Sequence, residues 1–290
     1  MSQVLRLSDH ELHDALRGFD VSRSVVDELL WREVGDTVPV TTGVRTVGGW
    51  SLDPGAGDGD AVLRGGRGGL ALSATGLRAV RGAALTAVAA RMFLSPDVVT
   101  GTVLGSGVAA RLHVAALARH VPGVSHIAVH AADAAPADLA AELEHAGIGL
   151  TVTERGADAV FGANLVVLAD RYAPGAGLAA AQLARGAVVV NATGSPPPPG
   201  VHEQAGRVFV DDRRLAPWTG PATADLGQLL AGADPGRARR DGVVLVDLLG
   251  AANGGLWLAF HLYQAALRRG LGVRAGSGSA RNGNEGGTAS

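Results

Sequence analysis

Val98-Val99-Thr100-Gly101-Thr102-Val103-Leu104-Gly105-Ser106-Gly107-Val108-Ala109-Ala110-Arg111-Leu112 is the stretch that decides the fold of this chain. An apolar run ends abruptly in Gly105-Ser106-Gly107, and Val108, Leu112, Ala115 and Ala116 then recur at helical spacing. Strand, glycine turn and helix in that order form the opening unit of a dinucleotide-binding domain. The first glycine permits the tight turn, and the second lets the backbone approach a pyrophosphate. Ala110 stands where a third glycine is common and still lets helix and strand pack closely. Gly105, Ser106, Gly107, Val108 and Ala109 are therefore expected to hold NAD or NADP, the amides of the helix start facing the phosphates. The alternative is a glycine turn of the same fold that binds nothing.

Downstream the rhythm is βαβ. Apolar runs at Val98–Leu104, His126–His130, Gly149–Val152, Leu165–Ala169, Ala187–Asn191 and Arg207–Val210 alternate with Ala/Leu-rich helical segments. Short buried runs separated by helices predict a Rossmann-like, doubly wound parallel sheet. Upstream, Ser8-Asp9-His10-Glu11 has capping-box spacing, and Val25, Val26, Leu29 and Leu30 mark a second helix. Residues 35–75 read as small strands, and an Ala-rich helix spans Leu77 to Leu94. A helix near Thr223–Leu230 and a longer one over Leu245–Arg269, interrupted at Gly254 and Gly255, follow the sheet. The expected fold class is α/β: a Rossmann domain over 98–220 inserted in a discontinuous α+β domain, 1–97 plus 221–274. The Gly/Ser/Asn-rich tail 275–290 has nothing to bury and reads as disordered.

Composition narrows the chemistry. The chain has 290 residues, a formal net charge of −2 and 47% hydrophobic residues, which gives no electrostatic case for nucleic acid or anionic membrane. No apolar run is long enough to span a bilayer, and Met1–Leu16 is too polar for a signal peptide, so the expected compartment is the cytoplasm. Cysteine is absent, and all 25 basic residues are arginine. Disulfides, thiolate ligands, a Cys nucleophile and a Schiff-base lysine are thereby excluded. No His/Asp/Glu spacing suggests a metal site.

Four stretches resemble the ornithine cyclodeaminase/mu-crystallin family. Leu70-Ala71-Leu72 with Leu77-Arg78-Ala79-Val80-Arg81-Gly82-Ala83-Ala84 is similar to the family's "LAL…LTALRTAA". Gly105–Arg111 is similar to "GAGVQAR", and Asp225–Gln228 through Gly232 with Pro235-Gly236-Arg237 to "ELGEVLAG…PGR". Gly250 through Tyr263, Ala266 and Gly270 is similar to the closing helix. The resemblance implies a Rossmann domain within a substrate-binding and dimerisation domain, and hence a homodimer. It also implies that Arg81 grips the carboxylate of a small amino-acid-like substrate, with Arg45 as a second candidate; a bidentate arginine suits that task. The family's catalytic lysine has no counterpart, and Pro196 falls where its aspartate would stand, in Asn191-Ala192-Thr193-Gly194-Ser195-Pro196.

The remaining candidates rest on position. Asn191 and Thr193 end the fifth strand and are expected near the cofactor. Asp133 either meets a ribose hydroxyl or caps the next helix. Asp170, where the family commonly has threonine, ends the fourth strand and is either an acid–base group or a loop cap. His202, with Glu203, could supply a proton near the nicotinamide face. His113 reads as structural, and His261 and Tyr263 as packing or dimer contacts. The expected function is an NAD(P)-dependent oxidoreductase on an amino-acid-derived imine or amino acid, of imine reductase or amino-acid dehydrogenase type. A cyclodeaminase-like enzyme with replaced catalytic residues and a non-catalytic ligand- or nucleotide-binding protein are the alternatives.

Overall fold

The computed structural model describes residues 3–34, 45–55, 59–94, 99–130, 134–170, 178, 180–198, 200–218, 222–237, 241–249 and 255–275. Two sheets organise them. The larger has eight parallel strands: β6 (Val99–Leu104), β7 (Val124–Val129), β8 (Gly149–Val152), β9 (Leu165–Leu168), β10 (Val188–Asn191), β11 (Ala205–Val210), β12 (Ala224–Asp225) and β13 (Val243–Asp247). Their order is β8-β7-β6-β9-β10-β13-β11-β12. The chain leaves β6 toward β7 on one side and returns to β9 on the other, so the order reverses at β6. Ligands of open parallel sheets bind outside the carboxyl ends of the strands at such a reversal.

Both faces of the sheet are buried at its central strands β6, β9, β10 and β13, as the continuous apolar runs require, while the edge strand β8 is largely exposed. Along β9, Leu165 and Val167 join the core shared with the rest of the chain, while Val166 and Leu168 join a second cluster with Leu104, Val160, Val189, Val201 and Leu245. The alternation follows from the two-residue period of a strand.

The six-stranded sheet is drawn from both ends of the chain, in the order β14-β1-β5-β4-β3-β2. β2 (Arg45–Val47), β3 (Trp50–Asp53), β4 (Asp60–Gly65) and β5 (Gly68–Ser73) form an antiparallel meander. β1 (Val4–Arg6) runs parallel to β5, and β14 (Val273–Ala275) closes on β1. Helix α1 (Asp9–Leu16) starts in the expected capping box, Ser8 with Glu11. Helices α2 (Val21–Val34) and α3 (Ala74–Phe93) follow, and α9 (Leu256–Arg269) sets Phe260 and Tyr263 on Trp50 with ring centroids 5.1 and 5.5 Å away. Tyr263 thus packs inside the protomer, and His261 Nδ1 lies 2.8 Å from the Ser24 hydroxyl on α2.

Three features join the layers. α3 packs along α4 (Gly107–His120), where Gly82 would bring a Cβ within 3.6 Å of the His113 ring. Glu142, on α5 (Ala137–His145), accepts from Arg119 Nε and Nη2 at 2.9 and 2.7 Å and from Arg17 Nη2 of α1 at 2.8 Å. At the opposite, amino edge of the large sheet, Arg237 of the Pro-Gly-Arg motif donates to the carbonyls of Phe93, Gly186 and Gly242. That motif is a backbone clamp joining the end of α3 to the segments that enter β10 and β13.

The sheet corrects two expectations. A Rossmann boundary at residue 220 falls inside it, because β12 and β13 both belong to it. The helix drawn over Leu245–Arg269 is a strand to Asp247 and a helix only from Leu256. Val243–Val246 is a β-branched apolar run that the adjoining Ala/Leu-rich segment masks in the sequence. The short helix α8 is Leu226–Leu230, capped by Asp225 and Gln228. The tail expected to be disordered lies outside the described residues beyond Ala275.

Candidate functional site

The glycine loop sits at the carboxyl end of β6, where the strand order reverses. Gly105 has φ +145°, and a Cβ there would stand 3.0 Å from the Asp170 amide, so only glycine lets the turn pass the end of β9. Gly107 has φ +59°, and a Cβ built on it meets nothing within 4 Å: the space over the helix start is open. Ser106 is the N-cap of α4, and its side chain makes no capping bond. Ala110 is fully buried beneath the helix. A left-handed glycine, an open approach and a helix start without a side-chain cap fit a pyrophosphate, so the loop meets the requirements of a dinucleotide.

Asp170 lies beside the loop. It is exposed, just past the end of β9, and accepts a 3.4 Å hydrogen bond from the Ser106 hydroxyl. Two of the candidates from the sequence, Ser106 and Asp170, are thus brought together directly.

At the neighbouring strand ends a polar network closes the sheet. Asn191 is fully buried; its Nδ2 donates to Asp247 Oδ1 at 2.8 Å and to the Ser195 carbonyl at 2.6 Å. Its Oδ1 accepts from the Thr193 hydroxyl at 2.8 Å and the Thr193 amide at 3.3 Å. Asn191 and Thr193 therefore frame the loop after β10 with their own hydrogen bonds. Asp247 ends β13, in register with Asn191 on one side and Val210 on the other, and Asp211 follows Val210. Burial drives the Asp247 carboxyl up to about 6; the Asn191 hydrogen bond opposes this, the Asp211 charge adds to it, and His202 opposes it. His202, on the single turn α7 (Val201–Gln204), is the group whose charge opposes that rise.

Arg81 projects from α3 with none of its surface exposed. Its Nη1 donates to Glu28 Oε2 of α2 at 3.2 Å, while Nε and Nη2 are buried and have no hydrogen-bond partner among the described residues. The next residue, Gly82, faces Ala192, just beyond the carboxyl end of β10. Arg81 is therefore one residue from the edge that carries the glycine loop. Arg45 opens β2 opposite Leu52; its side chain, like the whole of Asp133, lies outside the described residues.

His113, one turn and a half into α4, is buried with Nδ1 2.8 Å from the Ala109 carbonyl, which requires the proton on Nδ1. Burial lowers it to about 4, against its hydrogen bonds to the backbone carbonyls of Ala109 and Gly82. Among the described residues no three His, Cys, Asp or Glu side chains are placed to hold a metal ion, and no helix is long and apolar enough to cross a membrane.

Sequence reasoning passed over Asp247, Asp211 and Glu28. One signal was present: three apolar strands, β9, β11 and β13, run within two residues into an aspartate, Asp170, Asp211 and Asp247.

A model of the ornithine cyclodeaminase/mu-crystallin family matches residues 64–268. The fold is similar to Thermococcus litoralis Δ1-pyrroline-2-carboxylate reductase, solved with NADH and L-proline: TM-score 0.69, 18% identity, 93% of this chain and 100% of that one. It is similar to a probable ornithine cyclodeaminase from Bordetella pertussis (TM-score 0.66, 21% identity, 92% and 99% coverage). It is also similar to the iminosuccinate reductase of Paracoccus denitrificans, solved with NAD+ (TM-score 0.63, 15% identity, 94% and 99% coverage). No curated protein matches the chain by sequence.

Proposed function

The chain belongs to the ornithine cyclodeaminase/mu-crystallin family, and from that premise we propose that it is an NAD(P)-dependent oxidoreductase acting on an amino-acid-derived imine or the matching amino acid. The observation that carries this is a shared edge. The glycine loop after β6 and the Arg81 segment of α3 both meet the carboxyl side of the parallel sheet. Similar structures solved with the cofactor include a Δ1-pyrroline-2-carboxylate reductase with NADH, an iminosuccinate reductase with NAD+ and an archaeal alanine dehydrogenase with NAD.

Gly105, Ser106 and Gly107 would hold the pyrophosphate, with Val108 and Ala109 in the first turn of α4 beside it. The nicotinamide, when bound, supplies a hydride to the imine carbon while a proton joins the nitrogen, giving the amine. Arg81 would orient the substrate through its carboxylate, and the buried, partnerless Nε–Nη2 edge is the support for that role. Holding the reacting carbon in place is the protein's main contribution, since positioning alone supplies a large part of such barriers. The proton comes from water or from His202 or Asp170. We place the protein in the cytoplasm as a homodimer: the six-stranded sheet ends in exposed β14, where Val273 is 72% exposed, and pairing with a second copy covers such an edge. A monomer mass by light scattering at micromolar concentration overturns the dimer.

The activity is tested by following NADH and NADPH absorbance with five- and six-membered cyclic imino acids, and with 2-oxo acids plus amines. Oxidation of either cofactor that Arg81→Gln suppresses supports the reading. A second reading, a ligand-binding protein without turnover, is favoured by the absence of lysine and by Pro196 in place of the aspartate. It gains if the cofactor binds and no substrate of the panel is turned over.

A further inference from the structure

Arg81 carries more donors than Glu28 occupies. Its guanidinium has five N–H bonds arranged in a rigid plane. One end, Nη1, is held by Glu28 at 3.2 Å, and both groups are buried, Arg81 completely and Glu28 at 7% exposure. The Nε and Nη2 donors have no acceptor among the described residues. A buried donor without an acceptor costs about 1–3 kcal/mol, so a fold that keeps two on one guanidinium points to a group that arrives from outside. Nε and Nη2 lie side by side on one edge of the plane, at the spacing of the two oxygens of a carboxylate.

We infer that Glu28 is the positioning residue of this anchor: by fixing Nη1 it turns the Nε–Nη2 edge of Arg81 toward the ligand, which is then taken side-on by its carboxylate. The inference rests on the reading of Arg81 as the carboxylate anchor and adds what aims it. A long arginine side chain loses up to about 2 kcal/mol of rotamer freedom when ordered. The Glu28 contact orders Arg81 before the ligand arrives, so that cost is not met again on binding. The position of α2 supplies the carboxylate from a different element, so α3 is free to carry Arg81 and Gly82 past Ala192 at the sheet edge.

The test uses the full chain with saturating NAD+ and calorimetric titration of a graded set of carboxylates: acetate, L-alanine, L-proline, cyclopentanecarboxylate and L-pipecolate. Glu28→Ala is expected to weaken the best of them by about tenfold or more, with NADH affinity unchanged. Glu28→Gln, which keeps an acceptor for Nη1, is expected to restore affinity to within about threefold of the native protein. Equal affinity in Glu28→Ala and the native protein overturns the positioning role. So does a parallel loss of NADH affinity in both variants, which marks a structural role instead. Arg81→Gln separates the two readings. If it binds carboxylates as the native protein does, or if the native protein binds none, the Arg81 anchor fails and Glu28 with it. If Arg81→Gln alone loses them, only the Glu28 assignment fails.

Discussion

Asn191 donates to Asp247 across two adjacent parallel strands at 2.8 Å, and the two residues are in register at the carboxyl end of β10 and β13. The bond holds a buried carboxylate whose burial lifts it from 3.8 to about 6. A native carboxyl that holds its proton more tightly than the unfolded chain contributes stability that is full below about pH 4 and lost as pH rises through about 6. Above that, ionised Asp247 is a constant penalty of roughly 3 kcal/mol. Asp247→Asn is therefore expected to be more stable than the native chain at pH 7–8 by about 1–3 kcal/mol, the gap closing near pH 4. Denaturant unfolding across that range measures it, and a variant less stable at pH 8 contradicts the assignment.

His113 produces the opposite slope. Burial keeps it neutral in the folded state, lowering it from 6.5 to about 4. Its contribution is full above about pH 6.5 and is lost as pH falls through about 4, because the unfolded chain takes up the proton first. The window overlaps that of Asp247, so the two partly cancel in the native protein and only variants separate them. His113→Asn, which retains a donor for the Ala109 carbonyl, is expected to lose this acid sensitivity while costing about 1–2 kcal/mol at neutral pH for the void left by the ring. Unfolding midpoints at pH 4.5, 5.5 and 7 check it.

What the sequence displayed was local. β6, the glycine turn and α4 are consecutive, so Val98–Leu112 shows the unit without help from distant residues. The capping box at Ser8 and Glu11 was visible for the same reason. β13 was hidden because a short apolar run against an Ala/Leu-rich helix has no distinguishing period. Glu28 and Arg81 are 53 residues apart and Asn191 and Asp247 56 apart. Such pairs carry no spacing rule, since packing of α2 on α3 and the strand order bring them together. Asp170 was placed at the right edge of the sheet by its strand alone, while its partner Ser106 became evident only with β9 beside β6.

That partnership predicts cofactor affinity. Asp170 puts a negative charge beside the loop expected to receive two phosphates. Asp170→Asn is expected to bind NADH about two- to fivefold more tightly at low ionic strength, an effect that shrinks as salt screens the exposed charge. Gly107→Asp is expected to abolish binding, because it forces a side chain into φ +59° and adds a carboxylate where the backbone must approach the phosphates. Titration calorimetry with circular dichroism as the folding control reads both. Unchanged NAD(H) and NADP(H) affinity in Gly107→Asp removes the basis of the cofactor assignment.

The sharpest expectation is a reaction the protein does not perform: conversion of ornithine to proline at the rate of a dedicated cyclodeaminase. That reaction oxidises an amine, closes a ring, expels ammonia and reduces the product, moving protons at the α-carbon and nitrogen in turn. A positioned acid–base group is worth roughly 10²–10⁴-fold in such steps. The chain has no lysine, and the resemblance puts Pro196 where the family's aspartate is expected. Asp170, which accepts from the Ser106 hydroxyl at the glycine loop, and His202 are single groups and do not reproduce a lysine–aspartate pair. Ammonia release and proline formation from ornithine with NAD+ measure the reaction directly. Rapid, NAD-dependent turnover abolished by Arg81→Ala means that a proton carrier works from a position other than these. A silent assay alongside NADH oxidation by a cyclic imine leaves the reductase half of the chemistry as the one these residues perform.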